Sequence, residues 1–199
     1  MKNRSYAVFG LGRYGKAVAR ELLQNGAEVL AIDMDPDTVN AVAKNIPHCK
    51  CADVTNPEAI RQLGIADMDA VIIAIASNLE ASVMATMLCK EAGVKRVIVK
   101  CANPLHQRML LKIGADEVTF PEHESGVRLA KNLVSAGFVD IAELSEDVSV
   151  VELEVKDEWE GKTLIELNLR KKYGINVVAL RFGEPISVTL DPPAPLAQG

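Results

Sequence analysis

Tyr6-Ala7-Val8-Phe9-Gly10-Leu11-Gly12-Arg13-Tyr14-Gly15 changes character at Gly10, from a short apolar run to three glycines spaced G-x-G-x-x-G. The apolar run reads as a buried strand, and Lys16–Gln24 carries helical periodicity. A strand that turns through glycines into a helix is suited to receive phosphate. Gly10 permits the tight turn, Gly12 keeps a side chain from standing between backbone and pyrophosphate, and Gly15 lets helix and strand pack closely. Free N–H groups and the dipole at the helix N-terminus then favour negative charge. Asp33 follows eighteen positions after Gly15, at the end of the next apolar run, Ala31-Ile32-Asp33. A carboxylate there accepts both hydroxyls of an adenosine ribose and repels a 2′-phosphate.

Working outward, the first 120 residues alternate short β-branched runs with amphipathic stretches. Tyr6–Phe9, Glu28–Ile32, His48–Cys51, Ala70–Ile75, Arg96–Lys100 and Glu117–Phe120 read as six strands, most of them apolar on both faces. Lys16–Gln24, Pro36–Asn45, Pro57–Leu63, Leu79–Ala92 and Pro104–Ile113 read as helices, with Pro36, Pro57 and Pro104 in first-turn positions. The pattern predicts an α/β fold: a doubly wound parallel Rossmann sheet. Ligands of such sheets lie outside the carboxyl ends of the strands. Asp53 after the third strand, Ala76-Ser77-Asn78 after the fourth, Lys100 ending the fifth and Glu122 after the sixth are therefore candidates to complete the pocket.

A further helix is expected over about 125–136, with an apolar stripe of Val127, Leu129, Ala130, Leu133 and Val134. The polar stretch Glu143–Asp147 reads as a hinge into a small α+β lobe. That lobe is expected to hold a strand Val148–Val155, a helix Thr163–Lys172 closed by Gly174, a strand Ile175–Phe182, a turn at Gly183-Glu184-Pro185 and a strand Ile186–Thr189. So small a unit calls for docking or dimerisation. The domain expectation is a nucleotide-binding domain over 1–121, a crossover helix and hinge over 122–142, and a C-terminal lobe over 143–199.

Composition narrows the function. A formal charge of −5 and the absence of a basic block longer than Arg170-Lys171-Lys172 argue against nucleic acid as a partner. No secretory signal follows Met1-Lys2-Asn3-Arg4, and the apolar run Ala70–Ala76 is far short of a membrane span. Cys49, Cys51, Cys89 and Cys101 form no CxxC pair, so reduced cytoplasmic thiols are expected. A dehydrogenase needs an acid or base beside the nicotinamide. No Tyr-x-x-x-Lys occurs, and His106 and His123 read as surface residues without an orienting partner. Gly161-Lys162-Thr163 imitates the end of a phosphate loop, but Lys156 stands where its upstream glycine is required. The residues point to nucleotide sensing without turnover; a small NAD-dependent oxidoreductase is the alternative.

Several motifs in order resemble one family. The glycine turn, Asp33-Met34-Asp35, Ala52-Asp53-Val54-Thr55, Lys112-Ile113-Gly114-Ala115-Asp116 and Pro121-Glu122 look like the RCK domain, the regulator of potassium conductance in Ktr and Trk uptake systems. Trp159-Glu160-Gly161-Lys162-Thr163-Leu164, Leu167-Asn168-Leu169-Arg170 and Tyr173-Gly174 are similar to its C-terminal lobe. Arg13 inside the glycine turn favours the Ktr branch. The resemblance implies a homo-oligomer of dimers, commonly an octameric gating ring. The ring would be cytoplasmic and attached to the membrane through a potassium-translocating subunit. It implies ATP and ADP as competing ligands, or NAD(H) in Trk-type members, with Gly10, Leu11, Gly12, Arg13, Tyr14, Gly15, Asp33, Met34, Asp53, Val54, Ala76, Ser77, Asn78, Lys100 and Glu122 around them. Arg13 matches a contact to terminal phosphates, and Glu122 a carboxylate that takes Mg2+ or Ca2+ between subunits. The helix after Glu122 corresponds to the family's swapped crossover. Cyclic di-AMP is a further implied ligand of the C-terminal lobe, near Leu164, Ile165, Arg170, Asn176 and Pro192. A final glycine-aspartate strand of the family is expected beyond Gln198-Gly199.

Overall fold

The computed structural model describes residues 4–134, 138–145, 148–181, 186–187 and 191–196. The chain divides into two compact units, Met1–Glu124 and Ser125–Gly199. In the first, strands β1 (Ser5–Phe9), β2 (Glu28–Asp33), β3 (His48–Cys51), β4 (Ala70–Ile73), β5 (Val97–Lys100) and β6 (Glu117–Thr119) form one sheet in the order β3-β2-β1-β4-β5-β6. Every pair is parallel. Helices α1 (Arg13–Gln24), α2 (Pro36–Ala43), α3 (Pro57–Leu63), α4 (Leu79–Glu91) and α5 (Pro104–Lys112) make the crossovers, and α6 (Pro121–Val134) leads out of the sheet. This is the doubly wound Rossmann sheet expected from the sequence.

The period of two along each strand sorts the core onto two faces. Ala7, Phe9, Ile32, Val71, Ile73, Val97 and Val99 pack on one side with Ile60 and Leu63 of α3, Ala85 and Leu88 of α4, and Leu110 of α5. Val8, Val29, Ala31 and Ile72 pack on the other with Ala19 of α1 and Val42 of α2. The two edge strands depart from the two-sided pattern. In β3 His48, Lys50 and Cys51 are exposed and Cys49 is half-buried, and in β6 Glu117 is exposed with Val118 and Thr119 half-buried, which makes them the exceptions to strands that are mostly apolar on both faces.

Two boundaries matter for the site. β4 stops at Ile73, not Ile75: Ala74 N–H still donates to Phe9 at 2.7 Å, but β1 then turns away at Gly10 and the ladder loses its partner. α6 starts at Pro121, four residues before the expected Ser125, because proline serves the first turn of a helix. Glu122 therefore sits within a helix N-terminus.

In the second unit, β7 (Phe138–Ser145) pairs antiparallel with β8 (Val148–Leu153). The polar stretch read as a hinge is thus strand as far as Ser145; 146–147 lie outside the described residues. The single helix expected over Thr163–Lys172 is two, α7 (Leu164–Leu167) and α8 (Leu169–Tyr173), broken where Asn168 takes φ +47°. Of the expected strand Ile175–Phe182, β9 (Leu180–Arg181) is the part that pairs among the described residues, with β10 (Ile186–Ser187); residue 182 lies outside them. The turn at 183–185 and residues 188–190 lie outside the described residues. Leu167, Leu169 and Leu196 are the buried centre of this unit, with Trp159, Leu164 and Ile175 packed against them.

Candidate nucleotide site

Four crossover helices carry a side-chain cap. Asp35 accepts from the N–H groups of Asp37 and Thr38 at the start of α2. Asn56, Asn78 and Asn103 accept from Glu58, Ala81 and His106 at the starts of α3, α4 and α5. α1 has no such cap: Gly12 holds the N-cap position, and the first turn contains no acid. The first-turn N–H groups of a helix have no intrahelical acceptor. Those of α1 open at the carboxyl edge of β1, beside β4, where the strand order reverses.

The three glycines of the turn differ in why they are glycine. Gly10 has φ +86°, and a Cβ there would lie 2.9 Å from Ile75 Cγ1. A Cβ on Gly15 would fall 1.9 Å from the Gly10 carbonyl oxygen. Gly12 has φ −68° and ψ −168°, backbone that any residue adopts, and a Cβ there would meet nothing within 4 Å. The folded chain thus requires glycine at 10 and 15 but not at 12. An uncapped helix start over open space fits the phosphates of a nucleotide.

Asp33 ties this turn to the end of β2. Its Oδ2 accepts from Leu11 N–H at 2.7 Å and its Oδ1 from Asp35 N–H at 3.0 Å. Leu11 contributes backbone only, since its side chain is fully buried. Met34, beside Asp33, is 72% exposed, and Cys51 Sγ lies 3.5 Å from its carbonyl oxygen. Asp53 accepts from the Thr55 hydroxyl at 2.7 Å and Thr55 N–H at 2.9 Å, which hold its carboxyl below the usual range. Val54 is turned into the core. Ala76, Ser77 and Asn78 form the connection after β4, where the Asn78 amide oxygen is occupied as the α4 cap.

The residues of β5 and α6 meet α1. Lys100 Nζ donates to Glu122 Oε1 at 2.5 Å and lies 5.5 Å from the centre of the Tyr14 ring in the first turn of α1. The Lys100 ammonium lowers the Glu122 carboxyl below its usual range, with a smaller contribution from the charge of Arg13. Tyr14, Lys100 and Glu122 are thus brought together from three elements, with Arg13 near enough to be felt. Spacing alone offered no signal for the Lys100–Glu122 pair or for the Asp33–Leu11 bond. Both depend on how loops fold back across the sheet edge.

Glu122 does not make a cation site by itself. Its partner is an ammonium, and among the described residues no three His, Cys, Asp or Glu side chains come together to hold a metal. His106 corrects the expectation of a surface residue. It is 2% exposed, its Nδ1 lies 3.3 Å from Ala102 N–H, and its Nε2 is buried without a partner. His123 is exposed and stacks on Phe120. Thr163, in the stretch that imitates a phosphate loop, is instead the cap of α7, bonded reciprocally with Glu166. Of the positions implied for cyclic di-AMP, Leu164 packs on the buried leucines, while Ile165, Arg170, Asn176 and Pro192 are exposed.

Residues 6–121 match the family described as TrkA-N domain. The chain is 41% identical over 186 residues to Ktr system potassium uptake protein C of Bacillus subtilis, spanning 94% of this chain and 84% of the relative. It is 37% identical over 195 residues to Ktr system potassium uptake protein A of the same organism, spanning 98% and 86%. Among solved structures, the GsuK channel bound to NAD superposes with a TM-score of 0.59 at 21% identity, over 100% of this chain and 35% of that one. The TrkA-N domain of the Escherichia coli inner membrane protein ybaL superposes with a TM-score of 0.58 at 16% identity, over 67% and 98%. These two structural likenesses bear on the fold.

Proposed function

The chain belongs to the TrkA-N domain family, and on that premise we propose that it is a nucleotide-sensing regulatory subunit of a potassium uptake system. Its output is a change of assembly shape, not a chemical product. The observation that carries the nucleotide reading is the uncapped start of α1 above the open space at Gly12. The relatives named for Ktr potassium uptake support the transport reading. Among the described residues no helix is long and apolar enough to cross a membrane. In this reading an integral-membrane partner supplies the translocating path.

In this reading the N–H groups of α1 and the Arg13 guanidinium hold the phosphates, Asp33 accepts the ribose hydroxyls, and Met34 and Asp53 flank the base. A guanidinium fork separates a terminal phosphate from its absence through charge-assisted bonds. The domains are the nucleotide-binding domain over 1–121, the crossover segment over 122–142 and the C-terminal lobe over 143–199. A Mg2+ or Ca2+ at Glu122 would take its other ligands from phosphate oxygens and a second subunit. ATP and ADP are the preferred ligands, and each must favour a different shape, because equal affinity for two shapes shifts neither.

Mass identification of the ligand retained on purification, followed by calorimetric titration of ATP, ADP and NADH, tests this. Retained ADP or ATP with micromolar binding is the expected result. Retained NAD accompanied by hydride transfer to any substrate would replace it with the oxidoreductase reading.

A further inference from the structure

We propose that Lys100 is an exchangeable latch: it holds the first turn of α6 through Glu122, and gives up that carboxylate for a phosphate oxygen of bound nucleotide. The inference rests on the reading that phosphates lie at the α1 N-terminus. Lys100 is the last residue of β5, and its side chain is only 14% exposed, whereas that of Glu122 is 65% exposed. The cation is therefore lodged against the site while its partner stands in water. The Lys100 ammonium lies over the ring of Tyr14, a first-turn residue of the uncapped helix, so it already borders the place offered to phosphate.

The exchange is favoured on both sides. A single exposed carboxylate binds an ammonium weakly, whereas a polyphosphate presents several negative charges at a helix N-terminus. Glu122 is not stranded when Lys100 leaves it. It is solvent-exposed, it sits in the first turn of α6, and its own backbone N–H stabilises the charged form. Arg13 also contributes favourable charge at Glu122. α6 runs from Pro121 in the first unit to Val134 in the second, so the latch joins phosphate occupancy to the segment that links them. Linkage is reciprocal: whatever holds Glu122 on Lys100 must weaken nucleotide affinity by the same factor.

A double-mutant cycle in the full chain tests this, with ATP and AMP titrated by calorimetry in EDTA so that no divalent cation intervenes. Glu122→Gln removes the competitor, and ATP affinity should rise about two- to fivefold, the scale of a lost surface ion pair. Lys100→Met should weaken ATP at least about tenfold and AMP much less, and in that background Glu122→Gln should have a clearly smaller effect than with Lys100 present, since what is left is its charge felt through Arg13. Equal effects of Glu122→Gln with Lys100 present and absent overturn the latch, as does equal loss of ATP and AMP affinity in Lys100→Met. Should Lys100→Met fail to fold, Glu122→Gln alone decides: unchanged ATP affinity overturns the latch. A wild-type chain that binds neither ATP nor AMP overturns the site itself and the latch with it. ATP binding with an additive cycle overturns only the latch.

Discussion

Gly12 and Gly15 look equivalent in the motif and are opposite in the fold, which makes them a matched pair of probes. Gly15→Ala drives a methyl into the Gly10 carbonyl, so it should lower stability by about 1–3 kcal/mol or more, as overpacking does. Gly12→Ala enters open space and should leave the unfolding free energy within about 0.5 kcal/mol of wild type, yet abolish nucleotide binding by calorimetry. A Gly12→Ala chain that still binds ATP normally would remove phosphate from the site. His106 supplies a pH test. Burial holds its pKa below the ordinary 6.5, so the folded chain resists a proton that the unfolded chain accepts. Its share of stability is fully present above about pH 6.5 and is lost as pH falls from there toward the depressed folded value. Denaturant midpoints between pH 7.5 and 5.5 should therefore fall less steeply in His106→Gln than in wild type. At this scale the glycine spacing and Asp33 were legible in the sequence. The burial of His106 was not, because it depends on tertiary packing that local spacing does not encode.

At the scale of elements, short-range chemistry explains why the crossover helices were readable. Proline stands at the first turn of α2, α3 and α5, and an Asp or Asn precedes it to cap the N–H groups. Asn103→Ala removes the acceptor for His106 N–H and should cost about 1 kcal/mol by denaturant unfolding. Asn78 has a second role that its place after β4 did not show: its side-chain oxygen caps α4, which leaves the amide N–H groups to face a ligand. The second unit was read less well for a related reason. Thr163-x-x-Glu166 is a plain helix start, yet periodicity carried the helix through Asn168, where the backbone turns left-handed. Asparagine tolerates that conformation better than most residues, and glycine better still. Asn168→Ala should thus destabilise the chain by about 1–2 kcal/mol while Asn168→Gly does not, read from the same unfolding curves.

Across the whole molecule, the apolar stripe of α6 decides whether one chain is sufficient. The sequence displayed the stripe but could not say what covers it. Val127, Leu129, Leu133 and Val134 are 40, 60, 76 and 82% exposed, on a helix whose remaining positions are mostly charged or polar. Apolar surface left in water forgoes about 25 cal/mol per Å2, and contiguous apolar patches on soluble chains mark interfaces. A unit as small as the second gains from association, which there stabilises the fold as well as the assembly. A second copy of the chain is the occupant that matches the proposed regulatory assembly. Light scattering at tens of micromolar should accordingly give a mass above that of one 21.5 kDa chain. Leu129→Asp combined with Leu133→Asp should return it to one chain, with the helical circular dichroism of the first unit retained and the apparent melting temperature now independent of concentration. A wild-type chain that stays monomeric across that range would leave the stripe to another partner, and nucleotide binding would then have to act without a homo-oligomeric ring.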